Sequence, residues 1–308
     1  MKRSKLYYLT HPSVSVRVLL AKLSDTYYLK QQWKSKMGTD LDLRNPKKLS
    51  EKLQWLKLHD RKPIYTTFVD KYRAKLWLED NYGTTNIIPT ISVYNNADAI
   101  NIDMLPTSFA IKCNHDSGSV FLCFDKSKGI MLDKHMHEYN FEEVKCLLDK
   151  GLQHNFWRNA IEWPYKHVPP CIICEQLMIQ EDGTLPNDYK LFYINGKFEF
   201  AYVSYDRKGV NDRCTYDENW QRLPFVYVEE WAYNENMNTS EVPRPTSFNE
   251  MLRYGQKIAQ YFKFVRVDFY EVDGKMYFGE ITPFHSAGFA RFFPEEYDLI
   301  YGEKLKLR

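Results

Sequence analysis

The chain has 308 residues and a net charge of +2, from 42 Lys and Arg against 40 Asp and Glu. That balance argues against a polybasic nucleic-acid binder and against an acidic solvating tail. Apolar residues make up 44% and aromatic residues 16%, enough for a large core, which excludes disorder over most of the length and suits an enzyme of two or three lobes.

The basic start, Met1-Lys2-Arg3, leads into no apolar segment with a cleavage site, and no apolar run reaches the roughly 18 residues of a membrane span. Secretion and membrane spanning are therefore not expected, and the reducing cytosol is the expected compartment. Up to about residue 85 the chain is charge-rich and helical in character. Leu49, Leu53 and Leu56 fall on one stripe of a helix over 49–59, with Ser50 available as a cap. A second helix is predicted over 67–81, stopped by Gly83. From Ile87 the pattern becomes strand and turn, with strands predicted over 87–94 and 108–114. The polar loop Asn114-His115-Asp116-Ser117-Gly118-Ser119 leads into another strand, and a Lys- and Glu-rich helical stretch covers roughly 133–158.

Further strands are predicted near 171–179, 189–194 and 197–205, the last two joined by Asn195-Gly196, a strong hairpin signal. A helix over about 247–261 precedes a closing hairpin over 264–282, turned at Asp273-Gly274. This order reads as α+β, divided into a helical N-terminal region (1–85), a small lobe with the polar loop (86–170) and a C-terminal lobe (171–308). Cys171 and Cys174 have CxxC spacing, but in a strand i and i+3 face opposite ways, which argues against a metal or redox pair. Asp40-Leu41-Asp42 mimics the acidic triplet of metal-dependent glycosyltransferases, yet no apolar strand precedes it and it reads as a turn.

The closing hairpin carries the chemistry. Alternation places Arg266, Asp268 and Tyr270 on one face, and Phe278, Glu280 and Thr282 on one face of the returning strand. Two carboxylates in apolar strands are costly unless something cationic binds them. Beside an Arg, such a pair suits a divalent metal with polyphosphate. Arg266, Asp268 and Glu280 equally fit a surface salt-bridge cluster on spacing alone. Lys112 adds weight to the first alternative, because it ends a strand just before Ser117, Gly118 and Ser119, a small-residue loop whose N–H groups can approach phosphate.

In order, Asp70-Lys71 opening a helix, Ala110-Ile111-Lys112-Cys113-Asn114 before the loop, the strand from Ile172 to Met178, and the run from Arg266 to Thr282 resemble the ATP-grasp superfamily. Segments 48–55, 188–192, 277–283 and 294–298 look most like its TupA-like group, found in teichuronopeptide and capsular-polysaccharide gene clusters. The likeness implies an ATP-grasp fold, two mixed α/β lobes clamping ATP, with ATP and Mg²⁺ as cofactors. It assigns ATP phosphates to Lys71 and Lys112, covered by the backbone of Ser117, Gly118 and Ser119. It assigns adenine to Glu175, Gln176, Leu177 and Met178, phosphate or ribose to Lys190, Mg²⁺ to Asp268, Glu280 and Thr282, and the transferred phosphoryl to Arg266. Thr282 stands where the superfamily usually has Asn.

The implied function is an ATP-dependent carboxylate–amine ligase working through an acyl phosphate. It would join an amino acid or amino alcohol to a uronic acid (free, nucleotide- or lipid-linked) in bacterial surface polysaccharide synthesis, without nucleic acid or a membrane span, with a homodimer allowed. A sugar phosphotransferase or a glycosyltransferase is the alternative. His115 and His285 are candidates for acceptor binding or for local hydrogen bonds. Arg207, Lys208 and Arg213 either meet an anionic sugar or form a solvated charge run.

Overall fold

The computed structural model describes residues 24–83, 85–207 and 210–307. The basic start and Lys208 lie outside the described residues.

Four helices come first: α1 (Asp25–Met37), α2 (Leu49–His59), α3 (Ile64–Val69) and α4 (Lys71–Tyr82). α2 has the expected bounds but not the expected cap. Lys48 precedes it, the Glu51 carboxylate accepts from the Lys48 N–H at 3.1 Å, and Ser50 lies inside the helix with its hydroxyl donating to Asp298 at 2.6 Å. The single helix expected over 67–81 is two, broken at Asp70. Its backbone is extended there, and its carboxylate accepts from the N–H groups of Tyr72 and Arg73, capping α4.

The first sheet is antiparallel, in the order β1 (Thr90–Tyr94), β6 (Ile172–Glu175), β2 (Phe109–Cys113), β3 (Val120–Cys123), β4 (Ile130–Asp133), β5 (Glu138–Asn140). β6, expected with the C-terminal lobe, pairs with β1 and β2 instead. The helical stretch expected over 133–158 shrinks to α5 (Phe141–Leu152), because 130–140 pairs as β4 and β5 and Asn140 caps the helix. α5 buries Val144 and Leu148 against Phe109, Ile111 and Ile172.

The second sheet, also antiparallel, runs β12 (Lys275–Thr282), β11 (Phe264–Val272), β7 (Asp188–Ile194), β8 (Lys197–Arg207), β9 (Val210–Tyr216). Both hairpin turns have the expected geometry: φ is 48° and 75° at Asn195-Gly196, and 51° and 76° at Asp273-Gly274. One face presents Leu191, Val203, Val265 and Phe269 to α6 (Phe248–Ala259), with Phe68 of α3 and Leu78 of α4 in the same core. α3 and α4 thus pack onto the C-terminal sheet, while α1 buries Leu29 and Trp33 against Ala160, Ile161 and Phe289. On the opposite face Phe192, Phe200 and Phe264 pack under α2 and α7 (Glu296–Lys304), beside the short pair β10 (Val226–Val228) and β13 (Arg291–Phe293). Each such fully buried Phe contributes roughly 1.5–3 kcal/mol. Beyond this apolar end, which includes Ile194, the face carries polar and charged side chains.

Between β11 and β12 the register runs Arg266 to Thr282 and Val267 to Ile281, then resumes at Phe269 to Phe278. Gly279 and Glu280 together oppose Asp268, a β-bulge. The bulge corrects one expectation: Phe278 is buried with Phe269 in the core, not on the face of Glu280 and Thr282. No helix among the described residues is long and apolar enough to cross a membrane.

Candidate active site

Cross-strand pairing assembles the floor of the site. Lys190 lies opposite Asp268 on one side and Tyr202 on the other, while Ser204 lies opposite both Asp188 and Arg213. Opposed residues share a face, so all of them stand on the polar face of the second sheet.

Arg266 is its centre. Nε donates to Asp268 Oδ1 at 2.7 Å, and Nη2 donates both to Asp268 Oδ2 at 2.7 Å and to Glu280 Oε1 at 2.6 Å. Nη1 lies 2.7 Å from His285 Nδ1, which must be the acceptor because a guanidinium only donates. Burial and Arg266 hold the His285 pKa well below its ordinary value, so the imidazole is neutral. Thr282 Oγ1 donates to Glu280 Oε1 at 3.2 Å. Lys190 binds Asp188 and stands 3.5 Å from Asp268 Oδ2. Lys71 donates to the Asp116 carbonyl, with its Nζ 3.8 Å from Glu280 Oε2.

Burial pushes the Asp268 carboxyl up to about 6, against the pull of Arg266 and Lys190, which leaves it ionised at neutral pH. Burial also opposes ionisation of Glu280, but Lys71 and Arg266 hold it down at about 2. Two ionised carboxylates bridged by one guanidinium nitrogen are hard oxygen donors of the kind Mg²⁺ takes, and Glu280 Oε2 is not used by Arg266. Among the described residues no group of three or more His, Cys, Asp or Glu is arranged to hold a metal, so water or phosphate oxygens would complete its shell.

A second ionic cluster joins the first sheet to α4. Glu175 receives both Lys112 and Lys75, and Lys75 also donates to the Ile88 carbonyl at 3.0 Å. Burial raises the Glu175 carboxyl, but the two ammonium groups outweigh it and hold it at about 2. The loop after Lys112 is built by its own side chains. Asp116 accepts from the Ser119 hydroxyl at 2.5 Å and from its N–H at 3.2 Å, turning Ser119 inward while Ser117 and Gly118 stay exposed. Asn114 Nδ2 donates to Asp70 at 2.9 Å, which latches the loop to the start of α4. His115 is buried between the Asn114 side chain and the His154 carbonyl, away from both cavities described next.

Two cavities lie along this floor, one ending at Asp188 and the other lined by its ion partner Lys190. The first, about 330 Å³, has apolar walls from Ala110, Val120, Leu122 and Leu177 and ends at Lys112, Glu175 and Asp188. Gln176 and Met178 line it too, although the Gln176 N–H is already spent on the Pro89 carbonyl at 3.0 Å. The second, about 370 Å³, is lined by Lys71, Ser117, Lys190, Arg266, Glu280 and Thr282 on one side and by Tyr202, Ser204, Arg213 and Glu229 on the other. The structure thus brings thirteen of the fourteen residues that the likeness assigned to nucleotide, metal or phosphoryl group to two adjoining cavities or to the loop beside them, and Asp268 is buried against Arg266 behind the cavity wall. Asp40 and Asp42 lie apart, with Asp42 capping a turn through the Arg44 and Asn45 N–H groups. Cys171 and Cys174 are buried free thiols raised by burial to about 11 and about 12.

Lys75, Glu162, Asp188 and Tyr202 were not singled out from sequence; Arg213 was, as a residue to meet an anionic sugar or form a solvated charge run, and it lines the second cavity. Lys75 follows Lys71 by one helical turn, which is a usable signal. Arg213 alternates with Cys214 and Tyr216, both in the core, so its inward placement was readable once β9 was recognised as a strand. Glu162 reaches the second cavity from an irregular segment and has no sequence signal.

The TupA-like ATPgrasp family matches residues 51–306 of this chain. No curated protein matches it. Among solved structures, a D-alanine–D-alanine ligase from Bacillus anthracis complexed with ATP is 14% identical, with 70% of this chain and 55% of that chain covered and a TM-score of 0.39. An ADP complex of an N5-carboxyaminoimidazole ribonucleotide synthetase is 12% identical over 76% and 50%, with a TM-score of 0.41. A D-alanine–D-alanine ligase from Helicobacter pylori is 13% identical over 83% and 69%, with a TM-score of 0.41. The chain spans about half the length of the first two of these.

Proposed function

The chain belongs to the TupA-like ATP-grasp family, and from that premise we propose that it is an ATP- and Mg²⁺-dependent carboxylate–amine ligase. A carboxylate oxygen of the acceptor attacks the γ-phosphorus of ATP, ADP leaves, and an acyl phosphate forms. The amine nitrogen then attacks the acyl carbon, inorganic phosphate departs, and the nitrogen loses a proton to leave an amide.

The observation that carries this reading is an apolar-walled cavity ending at Lys112 beside a polar one lined by Lys71, Lys190 and Arg266, a row of fixed cations with the Asp188–Lys190 ion pair between the two cavities. Phosphoryl transfer asks a protein mainly for position and charge neutralisation, and this row supplies both. The adenine fits the apolar cavity beside Gln176, Leu177 and Met178. Lys71 and Lys112 hold the phosphates under the backbone of Ser117 to Ser119, with Lys190 beside them, and Arg266 faces the transferred group. His285 fixes the Arg266 guanidinium through Nδ1. Asp268 and Glu280, with Thr282 adjacent, would hold Mg²⁺, which neutralises phosphate oxygens when bound.

For the acceptor, the family likeness supports a uronic acid, free or nucleotide- or lipid-linked, in cytoplasmic synthesis of a surface polysaccharide. An amino acid or small amino alcohol is the amine. Thermal shifts with ADP, with and without Mg²⁺, followed by phosphate release from ATP across pairs of uronic acids and amines, test the reading. A Mg²⁺-dependent shift and an amide in the product mass spectrum are expected. No shift with any adenine nucleotide would sink it, and a stable phosphate ester formed without an amine would replace it by sugar phosphorylation.

A further inference from the structure

Among the described residues, Arg213 is a cation of the second cavity with no carboxylate in ion-pair contact. It comes to the cavity from β9 by alternation, since Cys214 and Tyr216 turn into the core on the other face. The strand is pinned there: the neighbouring Asp212 carboxylate accepts from the N–H groups of Asn238, Thr239 and Ser240 at 2.6, 3.0 and 2.7 Å. The guanidinium is also fixed. Nη1 donates to Ser204 Oγ at 2.9 Å, and the group lies 5.8 Å from the Tyr202 ring centroid.

That leaves one edge of the fork. Nε is buried and without a partner, and Nη2 has none among the described residues. A buried donor left unpaired is unfavourable, and the Nε–Nη2 edge is the pair of parallel N–H groups that grips a planar carboxylate at two points. β9 is three strands from β11, roughly 14 Å between backbones at about 4.8 Å per strand, so Arg213 enters the cavity from the wall opposite Arg266 and can meet a different group of the bound substrates.

We infer that Arg213 is a specificity-determining residue that binds the carboxylate of an amino-acid amine donor, so that the enzyme takes amino acids in preference to the corresponding amino alcohols. The inference rests on the ligase reading and narrows its amine.

The test uses the full chain with Mg·ADP and compares thermal stabilisation by the proteinogenic amino acids, each against its amino alcohol, in wild type, Arg213→Gln and Arg213→Lys. Phosphate release from ATP with glucuronic acid or UDP-glucuronic acid gives the KM for the amine. At least one amino acid is expected to stabilise the wild type and its alcohol not. In Arg213→Gln the concentration of that amino acid needed rises about ten- to a hundredfold, the worth of a charged hydrogen bond, with a smaller rise in Arg213→Lys. The Mg·ADP shift stays the same in all three, which reports that the variants fold. Equal response to acid and alcohol, an unchanged response in Arg213→Gln, or no response to any amino acid would overturn the inference while leaving the ligase reading intact. Weakened binding of UDP-glucuronic acid instead of the amine would reassign Arg213 to an acceptor phosphate and likewise overturn it. Loss of the Mg·ADP shift in wild type is the distinct failure of the ligase reading, and it takes this inference with it.

Discussion

Gly279 packs against the backbone of Asp268: a Cβ at position 279 would lie 3.0 Å from the Asp268 carbonyl oxygen, 3.3 Å from its carbon and 3.3 Å from the Tyr270 ring. The bulge that sets Glu280 beside Asp268 therefore depends on the missing side chain. The atoms in the way are mostly strand backbone, which cannot step aside. Gly279→Ala is expected to lower stability by about 1–2 kcal/mol, and Gly279→Val by more, through strain at a closely packed site. Chemical denaturation measures both, and a Mg²⁺-dependent ADP shift that weakens in step would tie the bulge to the carboxylate pair.

Glu280→Gln keeps an oxygen for Arg266 and removes the charge. The Mg²⁺-dependent part of ADP stabilisation should disappear, while ADP alone binds as in wild type or more tightly. Turnover should fall on the order of a hundredfold or more, since a group facing the transferred charge is lost. Undiminished Mg²⁺ dependence in this variant would remove Glu280 from the metal site.

Glu175 predicts an acid limb. Its ordinary carboxyl value of 4.5 is lowered to about 2 in the folded protein, so the folded state binds this proton less readily than the unfolded one. The contribution is present above pH 4.5 and lost as pH falls toward 2, and a shift of that size is worth about 3 kcal/mol. Glu280 titrates in the same window, so the wild-type limb is steeper than either group alone gives. Denaturation across that range should show a shallower slope in Glu175→Gln. At neutral pH the same variant should be less stable, because Lys75 is left buried without its partner.

Lys57, fully buried in α2, donates to Gln54 at 3.0 Å and to the Ala160 and Ala287 carbonyls at 2.9 and 2.5 Å. Ala287 is in a run with φ of 48°, 52° and 69° at Ser286, Ala287 and Gly288, the left-handed region that non-glycine residues rarely occupy. Lys57→Met should cost about 1–3 kcal/mol by leaving these acceptors unpaired. Because Ser286 and Ala287 line the second cavity, the KM of the acceptor should rise more than that of ATP. Steady-state kinetics on the folded fraction measure the split.

Much of the site was legible because its signals are local. Lys112 before a Ser-Gly-Ser loop, the Asn-Gly and Asp-Gly turns, and Arg266, Asp268 and Glu280 in one hairpin all lie within short stretches, where alternation and turn chemistry act directly. Asp70 shows the limit of such reading. Its neighbours have a helical pattern, yet its carboxylate does better as a cap for α4 and a latch for Asn114 than inside a helix.

By itself the sequence determined the strand and turn grammar of the C-terminal hairpins, the class of the fold, and which charged residues stand where charge is costly. Tertiary structure alone decided which faces those residues share. β6 joined the first sheet because its ladder partners are β1 and β2, far away in the chain. Phe278 and Glu280 parted because Gly279 admits a bulge against Asp268. Arg213 turned inward because Ser204 and Tyr202 lie opposite and beside it across strands. Sheet register and long-range packing are set by contacts between distant segments, and a local pattern carries no record of which segments those will be.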